Sequence, residues 1–350
     1  MEESVILREG YARLKKTRTV FIGGLLALLV ILVGVAVTLG SAGFTVGESY
    51  LAILAGLFPE TFTAPEMADV IVWDYRLHRV LFAVVAGFGL AVAGSVMQGI
   101  LRNPLASPFT LGISSAAATG ASVAIVLGAG FVVGEYLIIA NAFLFALLAS
   151  VAIYGMARYR GVSSETMILA GIALMYLFSA VTSLLQYVGT AEELQAVVFW
   201  MFGSVGKSTW PKLGLVTLVI ACTVPYLIYR AWDLNALAEG DEVAAGLGVP
   251  VERSMMVFMM VASLITAVII CFTGTIGFIG LVAPHITRMA IGGDYRTLIP
   301  ASGLVGAVLL LAADSVGRSI LAPQVLPVGI VTAFLGVPFF IYLFMHRRDA

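Results

Sequence analysis

Apolar residues occur in runs long enough to cross a lipid bilayer, and most polar residues fall between these runs. A membrane-spanning helix needs about 20 predominantly apolar residues. The sequence therefore predicts an all-α polytopic membrane protein with ten transmembrane helices, forming one domain over residues 1–350. The predicted spans are Val20–Gly40, Val80–Leu101, Phe109–Leu127, Tyr136–Ala157, Thr166–Val188, Leu213–Tyr229, Met255–Phe272, Ile276–Ile291, Leu298–Val316 and Val325–Phe344.

The stretch Thr273–Arg288 is nearly free of charge but rich in residues that interrupt helices. These are Gly274, Gly277, Gly280 and Pro284. Broken backbone at membrane depth is tolerated only where protein or a water-filled cavity surrounds it. We therefore expect this segment to lie beside a pathway through the membrane, with Gly277 and Gly280 at the pathway or its gate.

Composition supports the membrane class. The 350 residues are 61% hydrophobic and 11% charged, whereas a soluble protein averages about 45–50% apolar and about 25% charged residues. A net charge of -1 gives no indication of a nucleic-acid partner. Cys222 and Cys271 lack the spacing of metal ligands, so we expect two small buried hydrophobic residues and no metal site. Phe21–Gly40 is expected to be a first membrane helix and not a cleaved signal peptide, because many spans follow it.

Basic residues orient the predicted spans. With both termini inside, 14 of the 19 Lys and Arg residues fall on the cytoplasmic side, as the positive-inside rule requires. This bias needs an even number of spans, so ten satisfies it and eight would also do so. Residues 1–19 then form a cytoplasmic tail. The five outer residues are Arg76, Arg79, Lys207, Lys212 and Arg318.

The longest inner loop, residues 231–252, has the pattern of two short helices. Asn235 and Asp241 are candidate N-caps, and Gly240 and Gly248 are candidate helix stops. Helices this short are not stable alone, so docking on a partner would stabilise them. A solvated connector remains the alternative.

A weak internal repeat is also visible. Arg79 precedes a span and then the breakers Asn103, Pro104 and Pro108, while Arg253 precedes a span and then the breakers after Thr273. The two leading spans run in opposite directions, and inverted repeats with broken helices are typical of transporters.

Several motifs, in order along the chain, resemble the FecCD-type ABC importer permeases, which serve iron-siderophore, haem and cobalamin uptake. The similar segments are Arg76–Arg79, Gln98–Leu105, Leu169–Ala173, Trp200–Ser204, Gly277–Arg288 and Leu326–Phe340. The chain departs from the family pattern at His78 and Thr275, where proline is usual, and at Val325, where glutamate is common.

The resemblance implies an inverted-repeat fold and a homodimer with a central pathway in a prokaryotic cell membrane. It also implies two cytoplasmic ATPase subunits, which would hold ATP and Mg, and an extracytoplasmic substrate-binding protein. The chain itself would bind no cofactor and would not be an enzyme. The cargo would be a metal chelate, with an iron(III)-siderophore favoured and haem or cobalamin as alternatives.

The same resemblance assigns site residues. The ATPases would dock on the inner loop, through Leu237, Glu239, Gly240, Asp241, Glu242, Ala244, Leu247 and Gly248. Arg76, Arg79 and Arg318 would meet glutamates of the binding protein, because opposite charges speed encounter and fix orientation. The alternative is that these arginines anchor the helices at the interface, with Asp314 and Arg318 as a simple (i, i+4) pair.

The fifth span is expected to line the pathway by the same resemblance. Its candidate pathway or gate residues are Ser164, Glu165, Ser179, Thr182 and Ser183. Small and hydroxyl residues also permit close helix packing, which is the alternative. For His285, Gln98 and Asn103 we favour structural roles over ligand binding, with Asn103 and Pro104 capping the third span.

Three other functions fit the sequence less well than the importer. Gly203–Ser208 resembles part of a phosphate-binding loop, but Met201 stands where the motif needs glycine, so the chain is not expected to bind ATP. A secondary transporter driven by an ion gradient would want intramembrane carboxylates, and Asp314 is the clearest acidic residue within a span. A membrane-embedded structural or receptor subunit would leave the inner loop unexplained.

Overall fold

The computed structural model of the chain describes residues 2–40, 45–130 and 132–346. Over these residues the chain is built from α-helices, with one π-helical segment, Val72–Leu77, and one 3-10 turn, Gly134–Tyr136. The helices are α1 (Glu2–Thr38), α2 (Val46–Leu57), α3 (Glu66–Ile71), α4 (His78–Ile100), α5 (Ile113–Leu127), α6 (Leu137–Arg160), α7 (Ser164–Val188), α8 (Ala191–Met201), α9 (Trp210–Tyr229), α10 (Ala231–Ala238), α11 (Asp241–Gly246), α12 (Val251–Thr273), α13 (Ile279–Ile291), α14 (Tyr295–Ser319) and α15 (Val328–His346).

Each predicted span coincides with a helix. Among the described residues, seven helices are long and apolar enough to cross a membrane. The third, eighth and tenth predicted spans correspond to shorter apolar helices, Ile113–Leu127, Ile279–Ile291 and Val328–Ile341. The prediction of an all-α polytopic fold is thus confirmed.

The segment between the first two spans holds structure that the span criterion missed. The helix α2 is only 12 residues long, and Thr45 and Glu48 form a capping box at its start. Trp73 Nε1 donates a hydrogen bond to the carbonyl of Ala52 at 3.0 Å, which ties the π-helical segment to α2. A helix of 12 residues is too short to be recognised by a search for apolar runs of about 20 residues. The capping box at its start could have predicted the helix.

The internal repeat is visible as two similar units. In each, a long helix (α4 or α12) is followed by non-helical backbone, a short helix (α5 or α13) and another long helix (α6 or α14). Arg102 and Phe278, the non-glycine residues with positive φ in the described chain, occupy these two breaks. The units also interlock, because α4 packs against α14 and α12 packs against α6.

The two units run in opposite directions. The start of α4 and the end of α12 lie at the same end of the molecule, since the loop after α8 contacts both. Ser204 N donates to the carbonyl of Thr273 at 2.6 Å, and a Cβ at Gly206 would lie 3.3 Å from Arg79 Nη1. This end is called the Arg79 end, and the opposite one the α10–α11 end. The two units are therefore inverted relative to each other, as the sequence predicts.

Glycine contacts bring the central helices together. A Cβ at Gly94 of α4 would overlap the Gly280 carbonyl of α13, and a Cβ at Gly87 would overlap the Gly306 carbonyl of α14. Small residues allow this close approach of helix backbones in lipid. In the most apolar stretch of the helix that contains α4, 78% of the residues are consequently buried. The corresponding shares are only 22% in α7 and 11% in α1.

Candidate functional site

The break between α12 and α13 is enclosed by protein. Ser204 N donates to the carbonyl of Thr273, and the Thr275 hydroxyl donates to the carbonyl of Met201. A Cβ at Gly274 would overlap the Trp200 carbonyl, so glycine is needed where φ is +71°. Neighbouring backbone therefore satisfies polar groups that a broken helix would otherwise expose to lipid.

The same break opens onto an apolar groove of about 520 Å³, which lies between the end of α8, the break and α15. Its lining residues are mostly aliphatic and aromatic, and they are Phe109, Met201, Phe202, Thr275, Gly277, Phe278, Gly329, Ile330, Ala333, Phe334, Val337 and Pro338. Gly277 thus lies at the groove, as a pathway role would require. Gly280 lies three residues further along, in α13, where its backbone packs directly against Gly94 of α4.

The candidate residues of α7 divide between two faces. Ser179, Ser183 and Glu165 are exposed on a face that no other described helix covers. Thr182 is buried, and its hydroxyl lies 2.8 Å from that of Thr119 on α5. Thr182 therefore joins α7 to α5, which is the role in helix packing given as the alternative. Ser179 and Ser183 share the uncovered face.

The segment before α5 links α7 to the groove. Leu111, just before α5, packs against Gly171 on the buried side of α7. Phe109, two residues earlier, lines the groove. The groove and α7 are therefore joined through residues 109–111.

The inner loop forms the predicted pair of short helices, α10 and α11, joined at Gly240. Gly240 and Gly248 have φ values of +125° and +83°, which confirms both as helix stops. The predicted caps were wrong, because Asn235 lies inside α10 and Asp241 is the first residue of α11 after the N-cap Gly240. The reason is that α10 starts directly after α9, so no separate cap is needed.

The eight residues proposed for ATPase coupling differ in burial, with Gly240 and Asp241 half-buried. Leu237 and Ala244 are buried and hold the two helices to the rest of the chain. Glu239, Glu242, Leu247 and Gly248 are exposed, and Leu247 is 70% exposed. A partner would therefore meet the exposed set, while the buried pair sets its position.

Arg102 joins the inner loop to the candidate gate. Its Nη2 donates to Asp241 Oδ2 and to Ser164 Oγ, both at 3.2 Å. The Ser164 hydroxyl in turn donates to the carbonyl of Ile100 at 3.1 Å. Positive φ at Arg102, +48°, aims the side chain into this position in the break after α4. The first residue of α7 is thus connected to α11 through one arginine.

Asp294, which the sequence analysis did not single out, connects α10 to α14. Asn235 Nδ2 donates to Asp294 Oδ1 at 3.0 Å, and Tyr295 N donates to Asn235 Oδ1 at 2.9 Å. The guanidinium of Arg296 holds the pKa of Asp294 well below its usual range, although partial burial opposes this. The position of Asp294 directly before α14 could have identified it as an N-cap. Its hydrogen bond with Asn235, 59 residues earlier in the chain, could not be predicted from the sequence.

Asp314 is the centre of a buried ion cluster at the Arg79 end. Arg79 Nη2 lies 2.7 Å from Asp314 Oδ1, and Arg318 Nε lies 3.0 Å from Asp314 Oδ2. Arg318 also donates to the carbonyls of Leu39 and Ala36, both at 3.0 Å. The (i, i+4) pair foreseen as the alternative is therefore present. Because Asp314 is paired with two arginines, it does not resemble an ion site awaiting a cation.

Arg76 is bound to the end of α1. Its Nη1 donates to the carbonyls of Val37 and Thr38 at 3.2 and 3.3 Å, and the residue is 6% exposed. The three predicted docking arginines thus converge on the same region, where they brace α1, α4 and α14. Their docking role stays a prediction.

Other sequence predictions had mixed outcomes. Gln98 Nε2 donates to the carbonyl of Leu281 at 3.2 Å, a structural role near Pro284. Asn103 does not cap α5, whose N-cap is Gly112; its side chain instead accepts a bond from Leu105 N at 2.9 Å. Cys271 is buried, but Cys222 is exposed because its side of α9 is not covered by another described helix. His285 is half-buried on α13.

Together these features define a multi-span membrane permease, with a broken helix beside an apolar groove and paired short helices at one end. A sequence model of the FecCD transport family matches residues 25–346. The chain belongs to the FecCD family, and it is an ABC importer permease.

Individual relatives agree with this family. A Methanocaldococcus jannaschii protein named as an ABC transporter permease is 49% identical over 80% of this chain and 83% of its own length. A cobalamin import system permease of Halobacterium salinarum is 39% identical over 83% of this chain and 77% of its own. A hemin transport system permease of Yersinia pestis is 38% identical over 94% of this chain and 96% of its own length.

A solved structure is also similar. An ABC transporter of metal-chelate type in an inward-facing conformation matches with a TM-score of 0.81 at 31% identity. The match covers 93% of this chain and 98% of that chain. The chain is therefore embedded in a membrane by a fold shared along nearly its whole length.

We expect Asp314→Asn to destabilise the permease by about 3–5 kcal/mol, because it leaves two buried arginines without their counter-charge. Thermal unfolding in detergent measures the loss. Asp74→Asn is the matched control at the same end, since Asp74 is exposed, and it should change stability by less than about 0.5 kcal/mol. Equal unfolding midpoints for the two variants would contradict the assigned role of the cluster.

Proposed function

We propose that this permease imports a metal chelate, an iron(III)-siderophore complex, with haem or cobalamin as the alternative cargo. The observation that carries the proposal is the broken α12–α13 connection beside a large apolar groove. A bulky chelate needs a wide surface of small and apolar groups more than a set of ligands, since its metal is already coordinated. The hemin and cobalamin names of two relatives favour the alternatives.

A second copy of the chain would complete the pathway. The groove is open on one side, and one face of α7 presents Ser179 and Ser183 without cover from the described helices. Exposed hydroxyl groups are unfavourable against lipid, so this face suits either a wet pathway or a partner helix. We therefore propose a homodimer, with α7, the groove and their symmetry mates around a central route.

Energy would come from partner subunits. Gly203–Ser208 follows the helix α8, whereas a phosphate-binding loop follows a strand. Two cytoplasmic ATPases carrying ATP and Mg would instead seat on α10 and α11. The exposed Glu239, Glu242 and Leu247 support this, because they offer charge and apolar surface at a helix-pair tip.

This arrangement sets the orientation. The α10–α11 end faces the cytoplasm of a prokaryotic cell, with both termini inside, and the Arg79 end faces outward to a substrate-binding protein. The whole chain, residues 1–350, then acts as one transmembrane domain with a cytoplasmic segment over residues 1–19 and a coupling loop over residues 231–252. The excess of basic residues on the inner side supports this orientation.

Reconstitution tests the proposal. Proteoliposomes with the permease, its ATPase and a chelate-loaded binding protein should accumulate chelate only when ATP is present on the ATPase side. An ionophore that collapses ion gradients should leave the initial rate unchanged. Liposomes with an ATPase that binds but cannot hydrolyse ATP are the control. Uptake that needs an ion gradient and no ATPase would establish a secondary transporter instead.

Arg102 is proposed to transmit movement of α11 to the gate at the start of α7. Its guanidinium contacts Asp241 on one side and Ser164 on the other. Movement of α11 by an ATPase would therefore pull on Ser164 directly. The contact pair is partly exposed, with side-chain exposures of 32% and 37%, so it can break and reform at low cost.

We expect Arg102→Gln to lower the number of chelates imported per ATP several-fold while ATP hydrolysis continues. A partly exposed ion pair contributes up to about 1 kcal/mol, which corresponds to a factor of about five. Asp241→Asn should give the same defect, and the double variant should be no worse, because the two residues act as one unit. Arg253→Gln, an exposed arginine at the same end, should remain coupled.

Docking of the binding protein is proposed to use the positive charge of the Arg79 end. The cluster brings three arginines, Arg76, Arg79 and Arg318, to this end of the molecule, and Asp314 pairs with Arg79 and Arg318. Because their side chains are largely buried, the attraction would act mainly through the electric field and so on the association rate.

We expect Arg76→Gln to slow binding-protein association several-fold at low salt, with the difference shrinking near 1 M salt, where the Debye length is about 3 Å. Stopped-flow or surface-based kinetics on the reconstituted permease measures it. Arg158→Gln, at the α10–α11 end, is the control. An association rate for Arg76→Gln that matches this control at low salt would remove the docking role.

A further inference from the structure

A groove of about 760 Å³ lies between α1 and the start of α14, away from the pathway face. Both helices contribute its lining, which combines basic and apolar residues. The lining consists of Lys15, Arg18, Thr19, Ile22, Gly23, Leu26, Asp294, Arg296 and Thr297.

The basic residues gather at one end of the groove. Arg18 Nη1 lies 3.3 Å from Asp294 Oδ2, and its Nε donates to the carbonyl of Ile291 at 3.3 Å. Arg296 is bound to the same carboxylate at 2.7 Å and lies 4.1 Å over the ring of Trp232. The lining of this end thus contains three cationic side chains, including exposed Lys15, and the carboxylate of Asp294. A negatively charged group would be attracted to it.

The apolar part of the lining follows along α1. Ile22, Gly23 and Leu26 continue on the groove side after Arg18. With a rise of 1.5 Å per residue, Leu26 lies about 12 Å further along the helix axis than Arg18. Leu26 is 47% exposed, and a Cβ at Gly23 would meet no atom within 4 Å. An elongated apolar chain can therefore lie along this wall.

The groove opens at the α10–α11 end of the spans, since Asp294 at its basic end also accepts the hydrogen bond from Asn235. Lys15 and Arg18 stand where the apolar part of α1 begins. The charged end is thus at headgroup level and the apolar end at acyl-chain level. If this end faces the cytoplasm, as the proposed function holds, the adjacent leaflet is the one rich in anionic lipid.

We propose that an anionic glycerophospholipid of this leaflet binds in the α1–α14 groove. Its phosphate would lie between Lys15, Arg18 and Arg296, and one acyl chain would run along Ile22 to Leu26. The lipid would join the peripheral helix α1 to α14 beside Asp294, the residue that holds α10. Free phosphate would satisfy only the basic end and would leave the apolar wall uncovered.

Two glycines provide a matched test. Gly23 lines the groove and Gly24 does not, yet a Cβ at either would meet no atom within 4 Å. Native mass spectrometry of the purified permease complex, exchanged into mixed phosphatidylglycerol and phosphatidylcholine, counts the retained lipids. The unaltered protein should retain phosphatidylglycerol preferentially. Gly23→Leu should reduce that retention about tenfold, and Gly24→Leu should preserve it.

Charge is tested separately with Lys15→Gln, which should weaken phosphatidylglycerol retention about fivefold and leave phosphatidylcholine unchanged. Millimolar inorganic phosphate should not displace the lipid; if it does, the site recognises only a phosphate group and the lipid assignment fails. Equal retention of both lipids by the unaltered protein, or equal effects of Gly23→Leu and Gly24→Leu, would also overturn it. Because retention is measured without transport, failed uptake would bear on the proposed function and not on this site.

Discussion

Close contact between helix backbones is the constraint on which the rest of this structure depends. Lipid tails are as apolar as leucine, so helices gain little from hydrophobic burial against one another and associate mainly through packing. Gly94 against Gly280 and Gly87 against Gly306 let α4 sit between α13 and α14. Bringing α13 against α4 interrupts the path from α12, and the freed backbone is satisfied by the loop after α8. The groove beside the interruption is therefore a consequence of the packing.

Charged groups serve different purposes at the two ends of the spans. At the Arg79 end, Asp314 is 2% exposed between two arginines, which makes a rigid brace. At the α10–α11 end, Arg102 and Asp294 are more exposed and join the short helices to α7 and α14 separately. A displacement of α10 and α11 would thus reach both sides of the chain while the far end stays fixed. This difference in burial fits the proposed drive by partner subunits at the α10–α11 end.

Local patterns predicted some of the site and missed the rest for identifiable reasons. Gly240 and Gly248 were recognised as helix stops because positive φ is a local property that glycine favours. Asn235 and Asp241 were misassigned as caps, because cap-forming residues also make tertiary hydrogen bonds and the sequence does not distinguish the two. Thr182 resembled a pathway residue, but its hydroxyl is taken up by Thr119. The helix α2 was missed because its 12 residues are too few to meet a spanning criterion.

The sequence by itself determined the class of protein, the spans and the position of the break, because each depends on residues close together in the chain. A run of apolar residues must become a helix in lipid, whatever surrounds it. Only the tertiary structure decided which polar groups meet. Arg79 and Asp314 are separated by 235 residues, and Asn235 and Asp294 by 59. A buried charge is stable with any partner of suitable geometry, so the choice of partner follows from how the helices pack and not from the pattern around either residue.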